Sequence, residues 1–445
     1  MKYTQFTNDE VGAMLSTIGV RSIEDLFSTI PEDIRLRRPL TIPAGVSELE
    51  ILRDVGALAS QNHGCSELTC FLGGGAYDHF IPTIVDALSA QTEFVTAYTP
   101  YQAEASQGML QLLYEFQSMI CMLTGMEVAN ASLYEGASAA AEAVNMALSV
   151  THRNQVVVAQ SVHPDTLHVL RTYARERGIE IVTVGAASGV VEEEAIARVI
   201  GDATAAVVIQ SPNFYGCIER LDRLIPVAQR HGALAIVSAD PISSGLLKTP
   251  GAFGADVVIG EGQALGVPLQ YGGPYLGLLA AREKFLRKMP GRVVGVAKDR
   301  EDRRGFCLIL QTREQHIKRE RATSNVCTNQ GLLAVRATIY LCAMGKQGIA
   351  QVASQCFDKA HDAADRIAKL DGFELRFNQP FFKEFVVRTT KSIKRVLSAC
   401  REKKILAGVP MARFDERLGD CFLVAVTEKR TKAEIDALVT ALGAA

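Results

Sequence analysis

Residues 234–280 read LAIVSADPISSGLLKTPGAFGADVVIGEGQALGVPLQYGGPYLGLLA, and this stretch decides the fold. It holds three short apolar runs, Leu234–Ala239, Asp256–Ile259 and Leu276–Ala280, and none of them alternates apolar with polar residues. Unbroken apolar strands belong to a sheet covered on both faces, as parallel sheets in α/β proteins are. Upstream, Val156–Ala159, Ile179–Val184 and Ala205–Gln210 repeat the pattern, with helical spacing over Asp165–Arg177 and Glu192–Ile200 between them. Before these, Met109, Leu110, Leu113, Phe116, Ile120 and Leu123 form one apolar stripe ended by Gly125, which predicts a buried helix. The first ninety residues read as helices and loops, with helix starts at Asn8-Asp9-Glu10 and Ser47-Glu48-Leu49-Glu50. Past residue 330, a long helical region, Gly331 to Lys369, leads to strands at Glu384–Arg388 and Phe422–Val426 and a closing helix, Lys432–Leu442. The expected organisation is an N-terminal helical segment (1–90), a large α/β domain (91–330), and connecting helices with a small C-terminal α+β domain (331–445).

Composition excludes several function classes. With 47 basic and 49 acidic residues among 445, the net charge is −2, too balanced for a chain built mainly to hold nucleic-acid phosphates. No apolar run approaches the roughly 18–20 residues of a membrane span. The opening MKYTQFTNDE has neither a basic nor an apolar segment of the kind a secretory signal carries. The expectation is a cytoplasmic globular protein with no membrane or nucleic-acid partner. The ten cysteines show no CxxC pair and the eight histidines are scattered, so no metal site is expected.

Three motifs carry chemistry. Tyr134-Glu135-Gly136-Ala137-Ser138 opens a helix, and free N–H groups there, with a small Gly and the Ser hydroxyl, suit a phosphate; the same residues equally suit a plain helix cap. Asp240 ends a parallel strand, where α/β sheets place their ligands. Such an Asp pairs with the protonated pyridine nitrogen in pyridoxal phosphate enzymes, and also serves as an ordinary turn cap. Gly260-Glu261-Gly262-Gln263-Ala264-Leu265-Gly266 follows a strand, but its GxGxxxG spacing and the Pro268 and Pro274 beyond it argue against a dinucleotide site. Together the three match the large domain of fold-type I pyridoxal-phosphate-dependent transferases, with one omission. Between Lys248 and Lys284 there is no lysine to form the Schiff base.

That omission and the local wording carry a more specific resemblance. FLGGGAYDHFIP (71–82), YTPYQAEASQG (98–108), NASLYEGASAAAEA (130–143), GADVVIGEGQALGVPLQYGGPYLG (254–277) and TREQHIKRERATSNVCTNQ (312–330) closely resemble the alpha-subunit (subunit 1) family of glycine dehydrogenase (decarboxylating). This is the two-chain P-protein of the glycine cleavage system, and the likeness covers nearly the whole chain. It implies an α2β2 assembly in which alpha and beta share the fold and only beta holds pyridoxal phosphate. Counting back from Pro268, Gln263 takes the lysine's position, and Gln cannot form an imine. Gly136, Ser138, Asp240 and Gln263 would then form a vestigial pocket. The implied chemistry is decarboxylation of glycine on the beta subunit and transfer of the aminomethyl group to the lipoyl arm of the H-protein.

Alpha residues that could reach the partner's site are Tyr98, Tyr101 and Glu104 in YTPYQAE, two phenols and a carboxylate beside Pro100. They also suit interface packing and a helix start. Thr323, Ser324 and Asn325 form a second polar set. The stretch 282–321 carries thirteen Lys/Arg against six Asp/Glu, which would steer an acidic carrier or simply form a solvated face. Two other readings remain: an independent pyridoxal phosphate enzyme using Lys248, and a purely structural scaffold for a pyridoxal phosphate partner.

Overall fold

The computed structural model describes residues 5–96 and 98–445. The chain divides into two units, residues 1–63 and 64–445. In the first unit, helices Asn8–Ile18 and Glu48–Ala59 flank a 3₁₀ turn, Ile23–Phe27. Each begins on a reciprocal capping box: Thr7 with Glu10, Ser22 with Asp25, and Ser47 with Glu50. In such a box two orphan N–H groups at the helix start are satisfied at once. None of these three elements buries a residue, and Leu49, Ile51, Leu52, Val55 and Leu58 all stand exposed.

The second unit is built on a seven-stranded sheet. Its order is Val128–Ala129, Gly277–Ala281, Val257–Glu261, Leu234–Ser238, Thr204–Gln210, Gln155–Ala159, Glu180–Val184. The last five of these run parallel, while Gly277–Ala281 pairs antiparallel with both of its neighbours. Val156–Val158, Ala206–Ile209, Ala235–Val237 and Val257–Val258 are all essentially inaccessible. That burial explains why the strands read as unbroken apolar runs: helices lie on both faces, so neither face needs polar residues. The helices Gln107–Thr124 and Gly136–Thr151 bury Leu110, Leu113, Phe116, Ala140, Ala143 and Met146 in the same core.

A second, antiparallel sheet follows, ordered Phe373–Leu375, Glu384–Thr389, Cys421–Ala425, Val409–Pro410. Helices Ile393–Glu402 and Lys432–Gly443 and the end of the long helical span Gly331–Ile367 close its own core around Phe373, Phe385, Val424 and Leu438. The long span is interrupted at Gly345, whose φ of 59° and ψ of −177° are not helical. Such a conformation suits glycine and little else. Among the described residues no helix is long and apolar enough to cross a membrane. The consequence for function is positional: the C-terminal ends of the parallel strands face the start of Glu384–Thr389, and the loop 71–80 lies between them.

Candidate active site and its relatives

A cavity of about 370 Å³ opens at the C-terminal ends of the parallel strands. Gly136, His163, Asp240 and Glu261 line it from the large sheet's side, and Lys383 and Glu384 from the small one. This is where open α/β sheets bind ligands. Of the residues singled out from sequence, the structure brings Gly136 and Asp240 into its wall. Ser138 and Gln263 lie just behind, bonded to residues of the wall.

The helix start is already occupied. The Glu135 carboxylate accepts the Ser138 N–H at 2.9 Å and also accepts a hydrogen bond from the Ser138 hydroxyl. Glu261 accepts the Gly136 N–H at 2.9 Å through Oε2, and the N–H groups of Leu276 and Gln263 at 2.9 and 3.0 Å through Oε1. Burial pushes Glu261 up to about 7, against those three donors, which favour the anion. At the strand end, Asp240 Oδ2 lies 2.7 Å from the Lys383 ammonium, which is only 2% exposed. The Gln263 amide is taken up by main chain: Oε1 accepts the Tyr77 N–H at 2.8 Å, and Nε2 donates to Tyr77 and Val267 carbonyls at 3.1 and 2.8 Å.

Pyridoxal phosphate does not fit these residues. Two of the donors that would hold its phosphate face carboxylates, and the acid that would pair with its ring nitrogen faces a lysine. At the position that the resemblance assigns to the imine-forming lysine stands Gln263, whose side chain is an amide. Lys248 offers no alternative, because its ammonium sits 4.4 Å over the Phe253 ring and lines a separate cavity.

His163, Tyr77, His79, Lys383 and Glu384 complete the site, and reasoning from sequence missed all five. His163 donates from Nε2 to the Gly74 carbonyl at 2.7 Å and accepts the Asp165 N–H on Nδ1 at 3.1 Å, which selects one neutral tautomer. Burial lowers its pKa and favours that neutral form. His79 bonds Glu428 through Nδ1 at 2.6 Å, and its Nε2 lies 3.0 Å from the Lys383 ammonium. His79, Cys356 and Glu428 present metal-ligand atoms within 4.8 Å of one another. The adjacent ammonium opposes a cation there. One signal was legible: Lys383-Glu384 stands inside the apolar run Phe381-Phe382…Phe385-Val386, an unusual place for two charges.

Tyr98, Tyr101 and Glu104 lie elsewhere. Tyr98 is 89% exposed and Tyr101 53%, and Glu104 stands exposed on the 3₁₀ turn Ala103–Ala105. None of the three lines the cavity. Tyr101 is instead joined through Arg292 to Cys327 and Asn329, just beyond Thr323, Ser324 and Asn325. The buried Arg292 guanidinium lies 5.6 Å from its ring centroid and donates to Asn329 Oδ1 at 3.0 Å and the Cys327 carbonyl at 2.8 Å. Several charges of the basic stretch are paired within it, as in Lys298–Asp302 at 2.8 Å and Arg303–Asp299 at 2.7 Å.

Comparison with known proteins agrees with this architecture over the full chain. The family model described as "Glycine cleavage system P-protein" matches residues 1–442. A relative from Carboxydothermus hydrogenoformans, called probable glycine dehydrogenase (decarboxylating) subunit 1, is 49% identical, covering 100% of this chain and 99% of its own. One of the same description from Prosthecochloris aestuarii is 50% identical over 100% of both chains. Among solved structures, a glycine decarboxylase (P-protein) of the glycine cleavage system, in inhibitor-bound form, superposes with TM-score 0.90 at 41% identity over 100% of both chains. A sphingosine-1-phosphate lyase from Burkholderia pseudomallei shares the fold alone, with TM-score 0.67 at 15% identity over 93% of this chain and 94% of its own. A large α/β domain of the pyridoxal-phosphate type, with full-length likeness to these proteins, has one reading: the chain belongs to the P-protein family of the glycine cleavage system.

Proposed function

We propose that this chain is the subunit of glycine decarboxylase that holds no cofactor of its own and works only in complex with a beta subunit carrying pyridoxal phosphate. Glycine is decarboxylated on the partner, and the aminomethyl group passes to the lipoyl arm of the H-protein, in the cytoplasm. The observation that carries this reading is the state of Gln263, whose amide is fully engaged by Tyr77 and Val267 in a pocket whose cofactor stations are taken by Glu135, Glu261 and Lys383. A chain so arranged has an amide where the Schiff-base amine would stand, and the Lys383 ammonium in the same pocket is committed to Asp240. The relatives' designation as subunit 1 supports an assembly with a second chain.

In this reading Tyr98, Tyr101 and Glu104 face the partner's substrate. An exposed phenol backed by a buried arginine is a group held in place yet free to touch another chain. The test uses the purified chain alone, the α2β2 complex, and complexes carrying Tyr101→Phe or Glu104→Gln. Exchange of the glycine carboxyl carbon with CO2 is measured in each, with cofactor absorbance alongside. The expected result is exchange only in the complex and a fall of roughly tenfold or more in at least one variant with assembly intact. Exchange by the isolated chain refutes the division of labour. Full exchange in both variants removes these residues from the site and leaves the chain a structural role.

A further inference from the structure

The stations that a bound cofactor would satisfy are satisfied here by this chain's own side chains. Asp240, the strand-end acid, faces an ammonium, and the start of the helix Gly136–Thr151 faces two carboxylates. We propose that Lys383, Glu135 and Glu261 are an internal substitute for the two charged ends of a phosphorylated pyridine ligand, and that Lys383, through this position, fastens the small sheet to the large one.

The geometry supports both halves. Lys383 directly precedes the strand Glu384–Thr389 and its carbonyl accepts the Val426 N–H at 2.9 Å, so its backbone is tied to the small sheet while its ammonium reaches an acid of the large one. The ammonium also lies 3.6 Å from the centroid of the Tyr77 ring, a distance at which a cation is attracted to the ring face. Beyond it the contacts continue to His79 and on to Glu428, which follows the strand Cys421–Ala425. Glu384, the next residue, holds the Gly74 N–H and the Tyr77 hydroxyl, each at 2.7 Å. A lysine this deeply buried stays charged only beside a compensating anion, so Lys383 and Asp240 need each other. Meanwhile, N–H groups at a helix start attract anions, and with no anion bound they would stay exposed to the cavity; Glu135 and Glu261 fill that need from within the chain.

The inference concerns only this chain's pocket and is independent of which residues meet a partner. Two experiments on the full-length chain test it. In the first, Lys383→Met and Asp240→Asn are compared singly and together by thermal unfolding. Each single change is expected to lower the midpoint by several degrees, and the double change to restore most of the loss, because it removes both charges. Unchanged midpoints for both single variants overturn the fastening role. In the second, binding of pyridoxal phosphate, pyridoxal and inorganic phosphate is measured for the wild type and for the triple variant Glu135→Ala, Glu261→Ala, Lys383→Met. The variant is expected to bind pyridoxal phosphate roughly tenfold or more tightly than the wild type, with a smaller gain for pyridoxal. Equal affinity in a variant with wild-type circular dichroism overturns the proposal. So does a pyridoxyl group fixed on Lys383 of the wild type by borohydride, since that lysine would then be a cofactor ligand and no substitute. Should the triple variant fail to fold, binding is measured on Lys383→Met alone, with tighter pyridoxal phosphate binding again expected and equal affinity again overturning the proposal.

Discussion

Glu384→Gln gives a stability change whose size depends on pH in a direction the structure dictates. Glu384 is 6% exposed, and its two oxygens accept the Gly74 N–H and the Tyr77 hydroxyl. Burial pushes its carboxyl from 4.5 up to about 7; the two hydrogen bonds and the Lys383 charge oppose this, and the Asp240 charge adds to it. The folded protein therefore holds this proton more tightly than the unfolded chain does. Stability from this group is fully present below the unfolded value of 4.5, is lost as pH rises toward about 7, and changes little beyond. At ~1.4 kcal/mol per pKa unit, the whole effect is about 3 kcal/mol, of which roughly 2–3 kcal/mol falls between about pH 5 and pH 8. Gln resembles the protonated acid: its oxygen can accept from Gly74 and its amide can donate to the Tyr77 oxygen. The variant should thus lose little at the acid end and gain steadily over the wild type as pH rises. Urea unfolding of both proteins across this range gives the difference at each pH, and groups common to both cancel. A difference that stays flat, or falls with rising pH, refutes the reasoning. Glu261, also near 7, adds a slope of the same sign in both proteins and leaves the difference unaffected.

Gly216→Ala should destabilise the chain by roughly 3 kcal/mol or more, read as lost soluble yield and a lower thermal midpoint. Gly216 has φ of +83°, and an added Cβ would lie 1.9 Å from the Glu384 carbonyl oxygen; Gly201→Ala, with nothing within 4 Å, is the neutral control. Iodoacetamide near neutral pH should modify Cys327 before Cys342, and both well before Cys70, Cys217, Cys356, Cys400 and Cys421. The first two are exposed, whereas burial raises Cys70 and Cys217 to about 12. Mass spectrometry of the labelled chain gives the order. Assembly with a partner that covers residues 323–330 should slow Cys327 and leave Cys342 unchanged.

The fold was legible because its cause is local. Val156–Val158, Ala206–Ile209 and Val257–Val258 are apolar without alternation, which only a sheet buried on both faces requires, and the structure buries them all. The helix starts at Ser47 and Thr431 announce themselves through a Glu three residues on, since a capping box is complete within four residues. The missing lysine was legible too, because an absent amine needs no coordinates to be noticed. What the sequence could not disclose is which side chains meet at Asp240 and at the start of the helix Gly136–Thr151. Glu135 reads as a residue beside a helix start, and Lys383 as a charge at the edge of a strand, 143 residues after Asp240. Only the packing of one sheet against the other brings that ammonium 2.7 Å from the acid and leaves both side chains largely buried, where the attraction is screened less than at the surface. The sequence by itself determined the α/β architecture and the lack of an imine-forming lysine, through periodicity and residue chemistry. The tertiary structure decided which charges meet in the pocket, because that depends on burial and on contacts between segments far apart in the chain.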